Sequence, residues 1–157
     1  MKSARLVQQA DWQKPRIDDW ADGIISAVAD GTKPAVIVAY DCGTIATAIA
    51  APRLFGTRLA GAFLVAVPDL HPVRHNIWPA RHGGFAPLPL HAFPVPTKLI
   101  ASSTDPYCTV DRSQQIGDLW AADVSIIANA GHLDEQSGHG PWPEGLLTLG
   151  LFLKGIG

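Results

Sequence analysis

The fold of this chain is decided by the stretch Ala35–Thr44, which reads AVIVAYDCGT. Its first six residues are apolar and mostly β-forming, and they predict a buried strand over Ala35–Tyr40. Asp41 then interrupts the apolar run, and the small residues of Gly43–Ala51 predict a short helix that can pack close to a sheet. A strand that turns tightly into a helix is typical of α/β proteins with a parallel sheet.

Further strands and helices alternate on both sides of this stretch. The predicted strands are Arg5–Gln8, Ala62–Val67, Lys98–Ser102 and Val124–Ala128, and the predicted helices are Pro15–Asp30, Asp111–Ala121 and Pro143–Lys154. This alternation predicts a three-layer α/β fold with a mainly parallel sheet of about five strands. We expect one domain over residues 1–157, with residues 68–96, rich in proline and histidine, as an irregular, lid-like excursion.

The composition excludes several classes of protein. Of the 157 residues, 47% are hydrophobic and 17% are charged, which is too apolar for a disordered chain. The net charge is −2 without a run of Lys or Arg, so we expect neither nucleic acid nor a membrane surface as a partner. The N-terminus lacks the apolar core of a signal peptide, and two cysteines favour a reducing, cytoplasmic compartment. The histidine spacings fit no compact zinc signature, so no metal and no cofactor are expected.

Side chains that can carry chemistry follow three of the predicted strands. Asp41 follows the first, Asp105 lies just beyond the strand that ends at Ser102, and His132 lies just beyond the strand that ends at Ala128. Because the carboxyl ends of parallel strands meet at one edge of a sheet, we expect the three to lie together. Their order along the chain is that of the α/β-hydrolase triad, namely elbow residue, acid and histidine.

The elbow motif of that fold, G-x-S-x-G, corresponds here to residues 39–43, AYDCG, with aspartate at the nucleophile position. With this motif and five others, the chain resembles the YdeN-like, retinoblastoma-binding-protein-nine-like family of small serine hydrolases. The other motifs are Gln9–Trp12, Leu64–Pro68, Ser102–Cys108, Gly131-His132 and Ser137–Gly145. The resemblance covers nearly all of the chain, and it implies the α/β-hydrolase fold with the acid at Asp105 and the base at His132.

The chain departs from this family in two places. The family's serine falls on Asp41, and the sequence starts after a central strand whose loop supplies an oxyanion-hole donor in family members. We expect that Arg5–Gln8 pairs beside Ala35–Tyr40, that a partner chain fills the gap, or that the sheet edge stays open. An open apolar edge favours a homodimer, and the wide apolar surface of the last helix is the alternative contact.

The aspartate changes what the site can do. A carboxylate that attacks an ester must expel a far more basic alkoxide, so efficient ester hydrolysis by Asp41 is not expected. Attack on a saturated carbon, by displacing halide or opening an epoxide, leaves an alkyl ester, which His132 oriented by Asp105 hydrolyses through water. The leading hypothesis is therefore a small-molecule hydrolase with an altered Asp-Asp-His triad, acting on an ester-type, carbon–halogen or epoxide bond. The alternative is a catalytically inactive binding or interaction protein that retains the fold.

Four further residues are candidates for the oxyanion hole or the pocket. Cys42 follows the nucleophile position, and its thiol is either a small buried side chain or an alternative nucleophile. Tyr40 precedes Asp41, and Tyr107 lies in the acid motif, where it lines the pocket or packs. Trp78, in the excursion, is the candidate to hold a halide, a role that tryptophan has in haloalkane dehalogenases, whose elbow is similar to this one.

Overall fold

The computed structural model describes residues 4–70 and 83–157. Helices and strands alternate as α1 (Ile17–Ala29), β1 (Ala35–Tyr40), α2 (Cys42–Ala50), a 3₁₀ helix (Ala51–Leu54), β2 (Leu59–Val65), β3 (Thr97–Ser102), α3 (Val110–Trp120), β4 (Asp123–Ile127) and α4 (Pro143–Gly155). The strand that was predicted over residues 35–40 is confirmed with the same bounds. Trp78 and part of the predicted excursion lie outside the described residues.

The strands form one parallel sheet in the order β1-β2-β3-β4. Along one line across the sheet, Tyr40 lies beside Val65, Val65 beside Ile100, and Ile100 beside Ser125. All four strands therefore end at the same edge, and the residues that follow β1, β3 and β4 meet there.

Helices cover both faces of the sheet, which confirms the predicted three-layer α/β fold. On one face, α1, α2 and α3 enclose the larger core, which includes Ile45, Leu64 and Trp120. On the other face α4 packs against β2, and the rings of Phe63 and Phe152 lie 5.8 Å apart. Because successive side chains of a strand point to opposite faces, β2 must be apolar throughout to serve both cores. No helix in the described ranges is long and apolar enough to cross a membrane.

The predicted strand at Arg5–Gln8 is wrong, and the described part of the chain has four strands rather than about five. This segment lies along α1 instead. The Arg5 guanidinium donates to the carbonyl of Ala27, and Val7 packs against the core while Leu6 stays exposed. A short alternation of packed and exposed residues fits an extended segment on a helix as well as it fits a strand, which explains the error.

Candidate active site

Asp41 stands on a sharp turn between β1 and α2. Its backbone has φ 51° and ψ −130°, a sparsely populated conformation that costs a residue with a side chain about 1–3 kcal/mol. Aspartate is a favoured N-cap residue, yet the Asp41 carboxylate makes no capping hydrogen bond to α2. Its Oδ1 lies 3.4 Å from Nε2 of His132, and its side chain is 37% exposed. The turn therefore presents a carboxylate to both the imidazole and the solvent.

The opposite side of the imidazole is held by Asp105. The two carboxylate oxygens of Asp105 lie 3.0 and 2.9 Å from Nδ1 of His132. The Asp105 side chain is buried, and its Oδ1 also accepts the backbone N–H of Tyr107 at 2.8 Å. The buried acid thus fixes the ring so that Nε2 faces Asp41. The structure brings together the three residues that the sequence predicted at this edge.

The hydroxyl groups of three successive residues tie the loop after β3 to the loop after β4, and one of them, Ser103 Oγ, accepts the N–H of Asn129 at 2.9 Å. Ser102 Oγ accepts the N–H of Thr104 at 3.2 Å and that of Ala130 at 3.1 Å. Thr104 Oγ1 accepts the N–H of Gly131 at 3.0 Å. Sequence reasoning missed this role, although hydroxyl residues directly after a strand were a usable signal, since they bond readily to nearby backbone.

The two carboxylates raise the proton affinity of the imidazole. Burial by itself lowers the pKa of His132, but its hydrogen bonds to Asp105 and Asp41 raise it by more, to about 9. At neutral pH the site therefore holds an imidazolium between two carboxylates.

We expect an NMR titration of the His132 ring to give a pKa near 9, and a lower pKa in Asp41→Asn, because that variant lacks one of the two negative charges. The folded-state pKa lies above the ordinary 6.5. The stability that His132 contributes is then fully present below pH 6.5 and is lost as the pH rises through about 9. Denaturant unfolding between pH 6 and 10 measures that loss. A wild-type His132 pKa at or below 6.5 contradicts an ion triad, that is, an imidazolium held between the carboxylates of Asp41 and Asp105.

Two aromatic rings flank the imidazole. Tyr40 Oη donates to the backbone carbonyl of His132 at 3.0 Å, and the two rings lie 5.3 Å apart. The Tyr107 ring meets the imidazole edge-on, with the ring centroids 4.7 Å apart. Both tyrosines that the sequence placed in the pocket therefore lie against His132. Burial, followed by the nearby Asp41 charge, raises the pKa of the Tyr40 phenol, so this hydroxyl stays protonated.

The described residues supply no activated serine or cysteine to His132. Among them, the side chains that bond to its ring are the two carboxylates. Burial and the Asp41 carboxylate raise the pKa of the Cys42 thiol, which disfavours this residue as a thiolate nucleophile. Ser137 is engaged with Asp134. The side chain that faces Nε2 of His132 is thus the carboxylate of Asp41.

Two surface grooves lie away from this cluster. One, of about 240 Å³, lies between residues 5–8 and α1. The other, of about 320 Å³, lies between β1, β2 and α4. None of the three clustered residues lines either groove. Within residues 4–70 and 83–157, no three His, Cys, Asp or Glu side chains are grouped so as to hold a metal ion.

Comparisons with known proteins agree on the architecture. The family described as serine hydrolase matches residues 1–150. A YdeN-like hydrolase from Pectobacterium atrosepticum SCRI1043 is similar with a TM-score of 0.80 and 23% identity, over 96% of this chain and 76% of that one. The ydeN gene product of B. subtilis is similar with a TM-score of 0.71 and 18% identity, over 94% of this chain and 80% of that one. The esterase RhEst1 from Rhodococcus sp. ECU1013 is similar with a TM-score of 0.66 and 11% identity, over 90% of this chain and 73% of that one. No curated protein matches the chain. The structural likenesses establish the α/β-hydrolase fold.

Proposed function

The chain belongs to the serine hydrolase family, and on this premise we propose that it is a hydrolase whose nucleophile is the Asp41 carboxylate in place of a serine hydroxyl. The observation that carries the proposal is the direction of this carboxylate. It leaves the helix that it precedes without a side-chain cap and faces Nε2 of His132 at 3.4 Å. We infer that the substrate is a small molecule with an electrophilic saturated carbon, and we favour an epoxide.

The chemistry of a carboxylate decides the class of bond. Attack of Asp41 on an ester carbonyl gives an adduct that returns to reactants, because the carboxylate leaves far more readily than the alkoxide. Attack on a saturated carbon instead forms an alkyl ester, which is stable until water hydrolyses it. We therefore propose that Asp41 attacks a saturated carbon of the substrate in the first step, and that water attacks the Asp41 ester carbonyl in the second.

In the first step, a carboxylate oxygen of Asp41 forms a bond to one epoxide carbon, and the carbon–oxygen bond of the ring breaks. The electron pair goes to the departing oxygen, which takes the Nε2 proton of the His132 imidazolium. The products are a hydroxyalkyl ester on Asp41 and a neutral imidazole. Because the ester carries no charge, His132 has lost one of the two carboxylates that raise its pKa.

In the second step, neutral His132 removes a proton from water, and the hydroxide adds to the ester carbonyl of Asp41. The adduct collapses by breaking the bond to the alkoxide, which takes the proton of the new carboxylic acid and leaves as a diol. Asp41 is again a carboxylate and His132 an imidazolium. Asp105 keeps the ring in place throughout, since it holds Nδ1 through both carboxylate oxygens.

The proton on Nε2 is the reason to favour an epoxide over an alkyl halide. An opened epoxide needs a proton at its oxygen, and the imidazolium lies beside the attacking carboxylate. A departing halide needs N–H donors that hold the anion. Trp78, the residue that the sequence offered for this, lies outside the described residues.

A second candidate function is binding without catalysis. The observation that favours it is the closed ion triad, because an imidazolium clamped between two carboxylates is also a stable structural element. In this case Asp41 forms no covalent intermediate, and the family's scaffold serves recognition only.

We expect the purified chain to convert 1,2-epoxyhexane or styrene oxide to the diol, and to act more slowly on 1-bromohexane and on p-nitrophenyl butyrate. Asp41→Asn should lower kcat/KM for the epoxide by at least about 10³-fold, because it removes the nucleophile. Asp123→Asn is the matched control, since Asp123 is an exposed aspartate on β4 that pairs with Lys98. Diol formation is followed by chromatography.

Two results would count against the aspartate mechanism. Turnover of the epoxide that survives in Asp41→Asn would place the nucleophile elsewhere. No turnover of any of the four compounds would favour the binding protein.

A further inference from the structure

One edge of the sheet is open in the described part of the chain. β1 pairs with β2 on one side, and no described strand pairs on the other. The amides of Ala35 and Asp41 donate to the carbonyls of Arg58 and Val65, at 2.9 and 3.1 Å. Because backbone groups alternate in direction along a strand, the N–H and C=O groups of residues 36, 38 and 40 point to the open side.

The edge strand β1 lacks the charged residues and prolines that prevent edge strands from pairing with other chains. β1 reads AVIVAY and contains no charge and no proline. The side chain of Val38 is 58% exposed and that of Tyr40 is 42% exposed. Val38 also borders the apolar groove beside α4, where Leu146 is 71% exposed. The open backbone and the exposed apolar side chains thus form one continuous surface.

We propose that this surface binds a second copy of the same chain, with the two β1 strands antiparallel across a two-fold axis. The four-stranded sheets of the two copies then join into one. A symmetric dimer needs a surface that is complementary to itself. Two antiparallel β1 strands related by a two-fold axis meet this requirement, because each copy presents the same residues to the other.

The register follows from the outward-pointing groups. All of them are used when Val38 lies opposite Val38 of the second copy and Val36 lies opposite Tyr40 of the second copy. This register forms about six hydrogen bonds between the copies. On the face that carries Val36, Val38 and Tyr40, the cross-strand pairs are β-branched with β-branched and β-branched with aromatic, which are favourable combinations.

Charge also favours this occupant. Lys33 precedes β1 and Asp41 follows it. In an antiparallel pair the start of one strand lies near the end of the other, so the lysine of each copy approaches the aspartate of its partner. The exposed Leu146 side chains of the two α4 helices flank the same axis and add apolar contact.

Sedimentation equilibrium of the full chain at micromolar concentration tests the dimer. We expect a mass of twice 16.7 kDa for the wild type, and a monomer for Val38→Lys, because two lysines would meet at the axis. Leu90→Lys is the matched control and stays dimeric, since Leu90 is an even more exposed apolar residue but lies in the loop that contacts α3. A monomeric wild type, or a dimer that Val38→Lys leaves intact, overturns the proposal.

A disulfide test addresses the register, and it remains informative if Val38→Lys fails to fold. Residues that face each other across an antiparallel hydrogen-bonded pair have Cα atoms about 5.5 Å apart, within the reach of a disulfide. We therefore expect Val38→Cys to form a covalent dimer on mild oxidation. Val36→Cys and Leu90→Cys should not do so, and the native Cys42 and Cys108 are buried. Crosslinking of Val36→Cys without Val38→Cys overturns the register.

Discussion

A His132→Gln variant incubated with an epoxide should accumulate one substrate-derived group on Asp41. Ester formation needs only the carboxylate and an electrophilic carbon, and it continues slowly when water supplies the proton to the opened ring. Ester hydrolysis needs a base at the position of Nε2, and without it the second step slows by about 10²–10⁴-fold. Intact mass spectrometry should show the protein heavier by one whole epoxide molecule, since nothing leaves in the first step.

Peptide mapping separates this adduct from chemical alkylation. The modified peptide should contain Asp41, and the double variant Asp41→Asn/His132→Gln should remain unmodified. His139→Gln is the matched control, because His139 lies seven residues along the same segment and has no part in the proposed chemistry. It should turn over without accumulating the ester. An adduct on a cysteine alone, or none at all, would show that Asp41 is not the nucleophile.

The Asp105→Asn variant should lose turnover by about 10²–10⁴-fold, because a carboxamide neither holds the imidazolium charge nor fixes Nδ1 as the donor nitrogen. The loss should fall on kcat more than on KM, since the acid acts through His132 and not on the substrate. NMR should at the same time show the pKa of His132 well below the wild-type value of about 9.

Asp134→Asn serves as the control for this substitution. Its carboxylate lies two residues from His132 and bonds to the backbone and hydroxyl of Ser137. Turnover should stay close to that of the wild type. Equal losses of turnover in both variants would mean that Asp105 acts only through its negative charge and not through its hydrogen bonds to His132. An unchanged His132 pKa in Asp105→Asn would contradict those hydrogen bonds.

Much of the architecture was predictable because it depends on residue periodicity. β1 is bounded by Pro34 before it and by the turn at Asp41, so both of its ends were marked in the sequence. The meeting of Asp41, Asp105 and His132 followed from the common direction of parallel strands. The packing of Arg5–Gln8 did not follow, because it depends on the distant carbonyl of Ala27.

The geometry of the site was not predictable to the same degree. The direction of the Asp41 carboxylate depends on a backbone angle, φ 51°, that no propensity specifies. Likewise, the contact of Tyr40 with His132 joins residues 92 positions apart in the chain. The sequence could place these side chains at one edge, but side-chain orientation is a property of the packed structure.

The hydroxyl bonds made by Ser102 and Thr104 have a consequence for motion at this edge. They fasten the segment that carries the acid to the segment that carries the base, which restrains the distance between Asp105 and His132. Asp41 lies between β1 and α2, and the hydrogen bond from Tyr40 Oη to the carbonyl of His132 joins this part of the chain to the segment of the base. The Asp105–His132 pair is thus held by several hydrogen bonds, whereas the Asp41 carboxylate meets the ring at a single contact of 3.4 Å. A molecule that binds at the turn of Asp41 can therefore change the distance between the Asp41 carboxylate and the His132 ring, and with it the reactivity of the site, without unfolding any strand.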